Sequence, residues 1–230
     1  MPCVLPRPPA QFRPTTAPLQ SLNAAAVDTS AVEASGTVNL FNTGGIQGRS
    51  GACNGGAGTD TLVNSGQMIG DVFLGQGDDS FDGRGGRIDG QWFGDVGNDR
   101  YNGRGATLIS GSVGGGEGSD TPLGGDGAET IFGEAADDVL RGGGGDDVLI
   151  GGQGFDQMWG EDGNDALTGG QDADDLQGGA GDHGGAGDDT LTGGAQGDLL
   201  AGGTGADMFV LAALAGSASP SRRGTRFRTF

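Results

Sequence analysis

From Gly115 to Gln177 a nine-residue unit repeats seven times without a slip in register: GGEGSDTPL, GGDGAETIF, GEAADDVLR, GGGGDDVLI, GGQGFDQMW, GEDGNDALT and GGQDADDLQ. Glycine favours places one, two and four, an acid stands at place six and an apolar residue at place eight. A fixed short period marks a solenoid, because one unit cannot bury its apolar face alone and must stack on its neighbours. Composition without the period, 54 Gly and 8 Pro in 230 residues, would point to disorder.

Within a unit such as GGGGDDVLI, the Gly-rich first six residues suit a tight turn, since Gly tolerates positive φ and close backbone approach. The last three, Val148-Leu149-Ile150, suit a short strand in which only the middle residue points inward. Turn, strand, turn, strand returns the chain after two units. The expected fold is all-β, a flattened parallel β-roll with two sheets and two edges of turns. Its inward row is predicted as Leu62, Phe81, Tyr101, Ile131, Leu140, Leu149, Met158, Leu167, Leu176, Leu191, Leu200 and Phe209. One apolar side chain per nine ordered residues is a thin core, and the roll needs a further source of stability.

The acids suggest that source. Carboxylates and turn carbonyls are hard oxygen ligands suited to calcium, which takes six to eight oxygens. One turn cannot supply that many, but two turns stacked on one edge can. An ion between them would neutralise repelling carboxylates and couple metal binding to folding. Acids 18 residues apart share an edge, so Asp120, Asp138, Asp156 and Asp174 form one column and Glu129, Asp147, Asp165 and His183 the other.

Outside the regular block the pattern loosens. Residues 1–35 read as a disordered Pro-, Ala- and Thr-rich lead-in with a short helix from Ser21 to Ala34. Residues 36–114 read as an irregular solenoid with coils of 19 to 21 residues, set by the acids Asp60, Asp79, Asp99 and Asp120. These acids extend the first column backward. The opposite upstream turns, Asn64-Ser65-Gly66, Gly83-Arg84-Gly85 and Gly103-Arg104-Gly105, carry no acid. Calcium is therefore expected along one whole edge, and along the other only in the regular block. Residues 115–210 form the roll proper, which slips at GGAGDH and resumes at Gly184. Residues 211–230 form an irregular basic tail. Glu134, Ala136 and Asp172 replace motif glycines, and Pro122 replaces an apolar residue and cannot donate to a strand ladder.

The formal net charge of −19 opposes binding to nucleic acid and to anionic surfaces and favours cations. No run of apolar residues is long enough to span a membrane as a helix. Cys3 and Cys53 match no metal motif, and both a disulfide and two separate thiols stay open. Residues 1–35 lack the apolar stretch of a secretory signal peptide.

The GGxGxD unit followed by x, a large apolar residue and x resembles the nonapeptide of RTX (haemolysin-type) calcium-binding repeat proteins. The units starting at Gly55, Gly142, Gly151, Gly184 and Gly202 match every fixed place. The resemblance implies a parallel β-roll with several Ca²⁺ ions between turns. Their ligands would be the place-six acids Asp60, Asp79, Asp99, Asp120, Glu129, Asp138, Asp147, Asp156, Asp165, Asp174, Asp189, Asp198 and Asp207. Backbone of turn glycines such as Gly142, Gly145, Gly151, Gly184 and Gly187 would complete the sites. It also implies a secreted, extracellular or cell-surface protein, exported unfolded by type I secretion machinery and folded by calcium.

Catalysis has no visible carrier. His183 is the sole histidine, which rules out HExxH zinc chemistry, and GRSGA at Gly48 falls short of GxSxG. The leading reading is a non-catalytic structural or exoprotein module. The alternatives are the C-terminal calcium-binding region of an RTX protease, lipase or toxin, or a surface adhesin whose protein or carbohydrate partner is unknown.

Overall fold

The computed structural model describes residues 37–48, 51–178 apart from 84 and 106, 189–194, 199–202 and 206–210. For residues 107–110 and the short strands Leu19–Gln20, Val27–Asp28, Val32–Glu33 and Arg226–Arg228 it describes backbone alone. These residues build an all-strand parallel β-solenoid with no helix among them, as the period predicts. The predicted helix over Ser21 to Ala34 is replaced where the chain is described: Val27–Asp28 and Val32–Glu33 are strands pairing with the first coils.

Two long sheets face each other, one of eleven strands and one of ten. In the ten-stranded sheet Ile131 stacks on Leu149, Leu149 on Leu167, Leu167 on Leu191 and Leu191 on Phe209. Leu140, Met158, Leu176 and Leu200 do the same in the eleven-stranded sheet. All of the predicted inward row is buried, Phe209 only partly. The place-eight periodicity therefore locates the core along the regular block. Pro122 is also inward, and its strand, Thr121–Leu123, pairs with Val139–Gly144 only through Leu123 and Arg141.

Upstream the solenoid has a third face that nonapeptide spacing does not announce. Strands Gly45–Gln47, Gln67–Ile69, Arg87–Asp89 and Thr107–Ser110 form it, with Val27–Asp28 at its edge. Ile46, Met68 and Ile88 stack inward from this face and are buried. The longer upstream coils thus wrap a wider core. That core accommodates Trp92 and the stacked rings of Phe81 and Tyr101, whose centroids lie 5.4 Å apart. Among the described residues past Ser110 the third sheet gains no further strand, and the spacing of place-six acids falls from 21 to 18 residues. Two faces then suffice, with one aliphatic side chain per strand.

Candidate metal centre

Each place-six residue stands where the chain leaves a turn and enters a strand, so the coil period stacks these acids into columns. One column runs through Asp60, Asp79, Asp99, Asp120, Asp138, Asp156 and Asp174. The other runs through Glu129, Asp147, Asp165, Asp189 and Asp207. The second column corrects the expectation for His183: the rung after Asp165 is filled by Asp189, 24 residues on. His183, Asp198, Gly184 and Gly187 lie outside the described residues. The motif restarts after the slip, and Asp189 is the acid that restores the column.

The two oxygens of each column aspartate have different surroundings. From Asp79 in the first column and Asp147 in the second, Oδ1 accepts the backbone N–H of the column residue one coil earlier, at 2.7 Å for Asp138 from Asp120 and 2.7 Å for Asp147 from Glu129; Asp60 Oδ1 accepts from Val38 instead. Sequence reasoning treated these acids as metal ligands only; the structure adds this rung-to-rung backbone link. Oδ2 has no hydrogen-bond partner at Asp60, Asp79, Asp99, Asp120, Asp138, Asp147, Asp156 or Asp165, though these atoms are buried. A buried carboxylate oxygen without a donor is costly, and a cation is the partner that satisfies it.

Place-one glycine makes room for that oxygen. A Cβ on Gly151 would collide with Oδ2 of Asp156 and approach the Gly169 carbonyl oxygen to 2.8 Å. Gly133, Gly142 and Gly160 repeat this arrangement with Asp138, Asp147 and Asp165 and the place-one carbonyl of the next coil. The donor set is thus carboxylate plus carbonyl oxygen, the hard-oxygen chemistry calcium takes. No group of three or more His, Cys, Asp or Glu side chains converges among the described residues. A site here would have to draw single carboxylates from successive coils, with carbonyls completing the shell. Gly151→Ala is accordingly expected to lower the melting temperature in calcium, costing about 1–3 kcal/mol. Gly144→Ala should be tolerated, since its Cβ would find no atom nearer than Asp126 Cα at 3.8 Å. Paired thermal melts check this.

Electrostatics agree with an incomplete charge balance. Burial pushes the column carboxyls up, to about 6 at Asp79, Asp120 and Asp165 and about 7 at Asp99, Asp147 and Asp156. Asp138 rises to about 8, from burial first and then from the charges of Asp120, Asp156 and Asp137. The backbone N–H bonds oppose the shift without cancelling it. Asp60 and Glu129 are raised too, again mainly by burial.

The upstream corner opposite the first column holds amides in place of acids. Asn42 Nδ2 donates to Asn64 Oδ1 at 2.7 Å, and both side chains are buried. Glu134 and Ala136, which replace motif glycines, keep the left-handed backbone at φ 80° and 79°. Asp172 does so at φ 72°. The turn shape survives these departures at some cost in strain.

Residues 123–158, 150–182 and 183–210 match the family model described as RTX calcium-binding nonapeptide repeat (4 copies). The chain thus carries RTX calcium-binding repeats over residues 123–210. No curated protein gives a match to the chain.

Proposed function

We propose that this RTX repeat chain is a calcium-folded structural module that works outside the cell, reaching it by type I secretion. The observation that carries the reading is the row of buried Oδ2 atoms without donors, of which those of Asp60, Asp99, Asp138, Asp147, Asp156 and Asp165 lie beside a place-one glycine and a carbonyl of the next coil. In this reading the ligands are the place-six carboxylates of the two columns, with backbone oxygens of turns such as those at Gly142, Gly145 and Gly151. Bound calcium would supply the positive charge that 31 acidic residues against 12 basic ones lack. Oδ1 keeps its rung-to-rung hydrogen bond, and Oδ2 is the oxygen left to a metal. The first edge offers carboxylates from Asp60 to Asp174, and the second only from Glu129 onward. Ions are therefore assigned to one edge along its length and to the other in the regular block.

Calorimetric titration of the full chain with calcium tests this. Asp147→Ala should lower the number of ions bound and raise the calcium midpoint several-fold. Asp147→Asn should do nearly the same while retaining an acceptor for the Glu129 N–H. Asp28→Ala, outside the repeats, should leave the titration unchanged. Equal effects of Asp147→Asn and Asp28→Ala would sink the assignment.

A further inference from the structure

The outer face of the ten-stranded sheet carries an interrupted aromatic stack. Phe73 and Phe93 stack on successive rungs, with centroids 5.0 Å apart and planes within 7°. The next rung places Gly114 in line with Phe93, and the one after places Phe132. The missing side chain at Gly114 leaves a cleft of about 180 Å³, lined by Phe93, Asp95, Gly114, Glu117 and Glu134 among others. A Cβ on Gly114 would lie 3.5 Å from the Phe93 ring and 3.3 Å from Glu134 Oε1. The cleft therefore has an aromatic wall and a carboxylate leaning into it.

Asp95 and Glu134 flank the gap one rung to either side, in register with Gly116. Both hold left-handed backbone, φ 74° and 80°, at a place where Gly75, Gly116 and Gly152 stand on other rungs. Two acids are thus kept at positions suited to glycine, a strain that asks for a function. Asp95, Glu117 and Glu134 make no ion pair among the described residues.

The opposite sheet shows what fits such a gap. There Arg141 occupies the rung position equivalent to Gly114. Its guanidinium lies 4.6 Å from the Trp159 ring centroid, one rung on, and pairs with Glu161 at 3.1 Å. Glu161 also has positive φ, 74°, as Glu134 does. Gly114, Phe132 and Glu134 repeat this register without the arginine, and Phe93 and Asp95 add a second aromatic and a second acid on the near side.

We propose that the Gly114 cleft docks an arginine side chain of a basic polypeptide partner, its guanidinium lying over Phe93 and paired with Glu134 and Asp95. A planar cation suits a slot in a ring stack, and its fork matches a carboxylate; a lysine ammonium does neither as well. Asp95, Glu117 and Glu134 at the cleft supply the charge complementarity for such a partner.

The test uses the full chain in saturating calcium, titrated with N-acetyl-arginine amide and N-acetyl-lysine amide and followed by amide NMR shifts. Arginine amide should move the Gly114 and Phe93 signals and bind about tenfold tighter than lysine amide. Glu134→Gln should weaken arginine binding by about tenfold with the circular dichroism spectrum unchanged. Gly114→Arg should abolish binding and raise the melting temperature, reproducing the Arg141 arrangement in the second sheet. Equal binding of the two amides would mean diffuse attraction to an acidic body and would overturn the proposal. So would an unaltered titration in Glu134→Gln, or loss of arginine binding as calcium is raised at fixed ionic strength, which would make the cleft a divalent-cation site.

Discussion

Removing calcium at pH 7.5 is expected to convert the roll to coil, and returning it to restore the sheet signal cooperatively. The midpoint should lie in the range of about 10⁻⁴–10⁻³ M seen for extracellular modules. The reason is the mismatch between core and charge. Each strand of the regular block buries one aliphatic side chain, among them Leu140, Leu149, Met158 and Leu167. The same coils bury Asp138, Asp147, Asp156 and Asp165 almost completely. Ionised, unpaired and stacked one coil apart, these carboxylates oppose the compact state. A divalent ion between successive coils removes that opposition, so binding energy appears as folding energy. Magnesium, smaller and bound to an octahedral water shell, should replace calcium poorly in sites built from carbonyls and carboxylates of two turns. Far-UV circular dichroism during a calcium titration, with a magnesium control, checks both statements. A sheet spectrum that survives chelation at neutral pH would show that the core suffices without metal.

What the sequence made legible follows from where its period is strict. Between Gly115 and Gln177 the place-eight residues reach the core and the place-six acids reach the edges, because a nine-residue unit leaves no freedom of register. Three things escaped that logic. The third face is built by Ile46, Met68 and Ile88, whose spacing follows the longer upstream coil and so falls outside the nonapeptide count. Ile46 and Met68 stand in segments, LFNTGGIQG and LVNSGQMIG, whose similarity to each other was visible. The slip near His183 was visible too, but counting 18 residues onward from Asp165 reached the histidine rather than Asp189, which forms the rung. Finally, the rung-to-rung use of Oδ1 could not be read from residue types, since it depends on how each carboxylate meets the backbone of the preceding coil. The acidic replacement Glu134 reads as a departure from the motif, and Glu161 stands at the same place of its own unit. The structure gives them positive φ and, for Glu161, a guanidinium partner.

Acidification should partly replace calcium. In the metal-free roll Asp79, Asp99, Asp120, Asp138, Asp147, Asp156 and Asp165 titrate above their ordinary range, from about 6 at Asp79 to about 8 at Asp138. Burial is the leading cause throughout. In the unfolded chain the same groups titrate near 3.8, the ordinary Asp value. Below about pH 4 both states hold their protons, and these groups do not oppose folding. From there to about pH 8 the folded state retains protons that the unfolded state has lost, so stability falls as pH rises. Above about pH 8 both states are ionised and the whole penalty is in place. Chelated chain that is coil at pH 7.5 should therefore gain sheet signal as pH falls toward 5. In calcium the dependence should reverse over the same window, because protons compete with the metal for the same oxygens. Circular dichroism from pH 8 to 4.5, with and without calcium, measures both slopes. Sedimentation velocity run alongside separates folding from precipitation near the pI of about 4.1. A metal-free chain whose spectrum stays coil across the whole window would mean that burial of these carboxylates is not what holds the roll open.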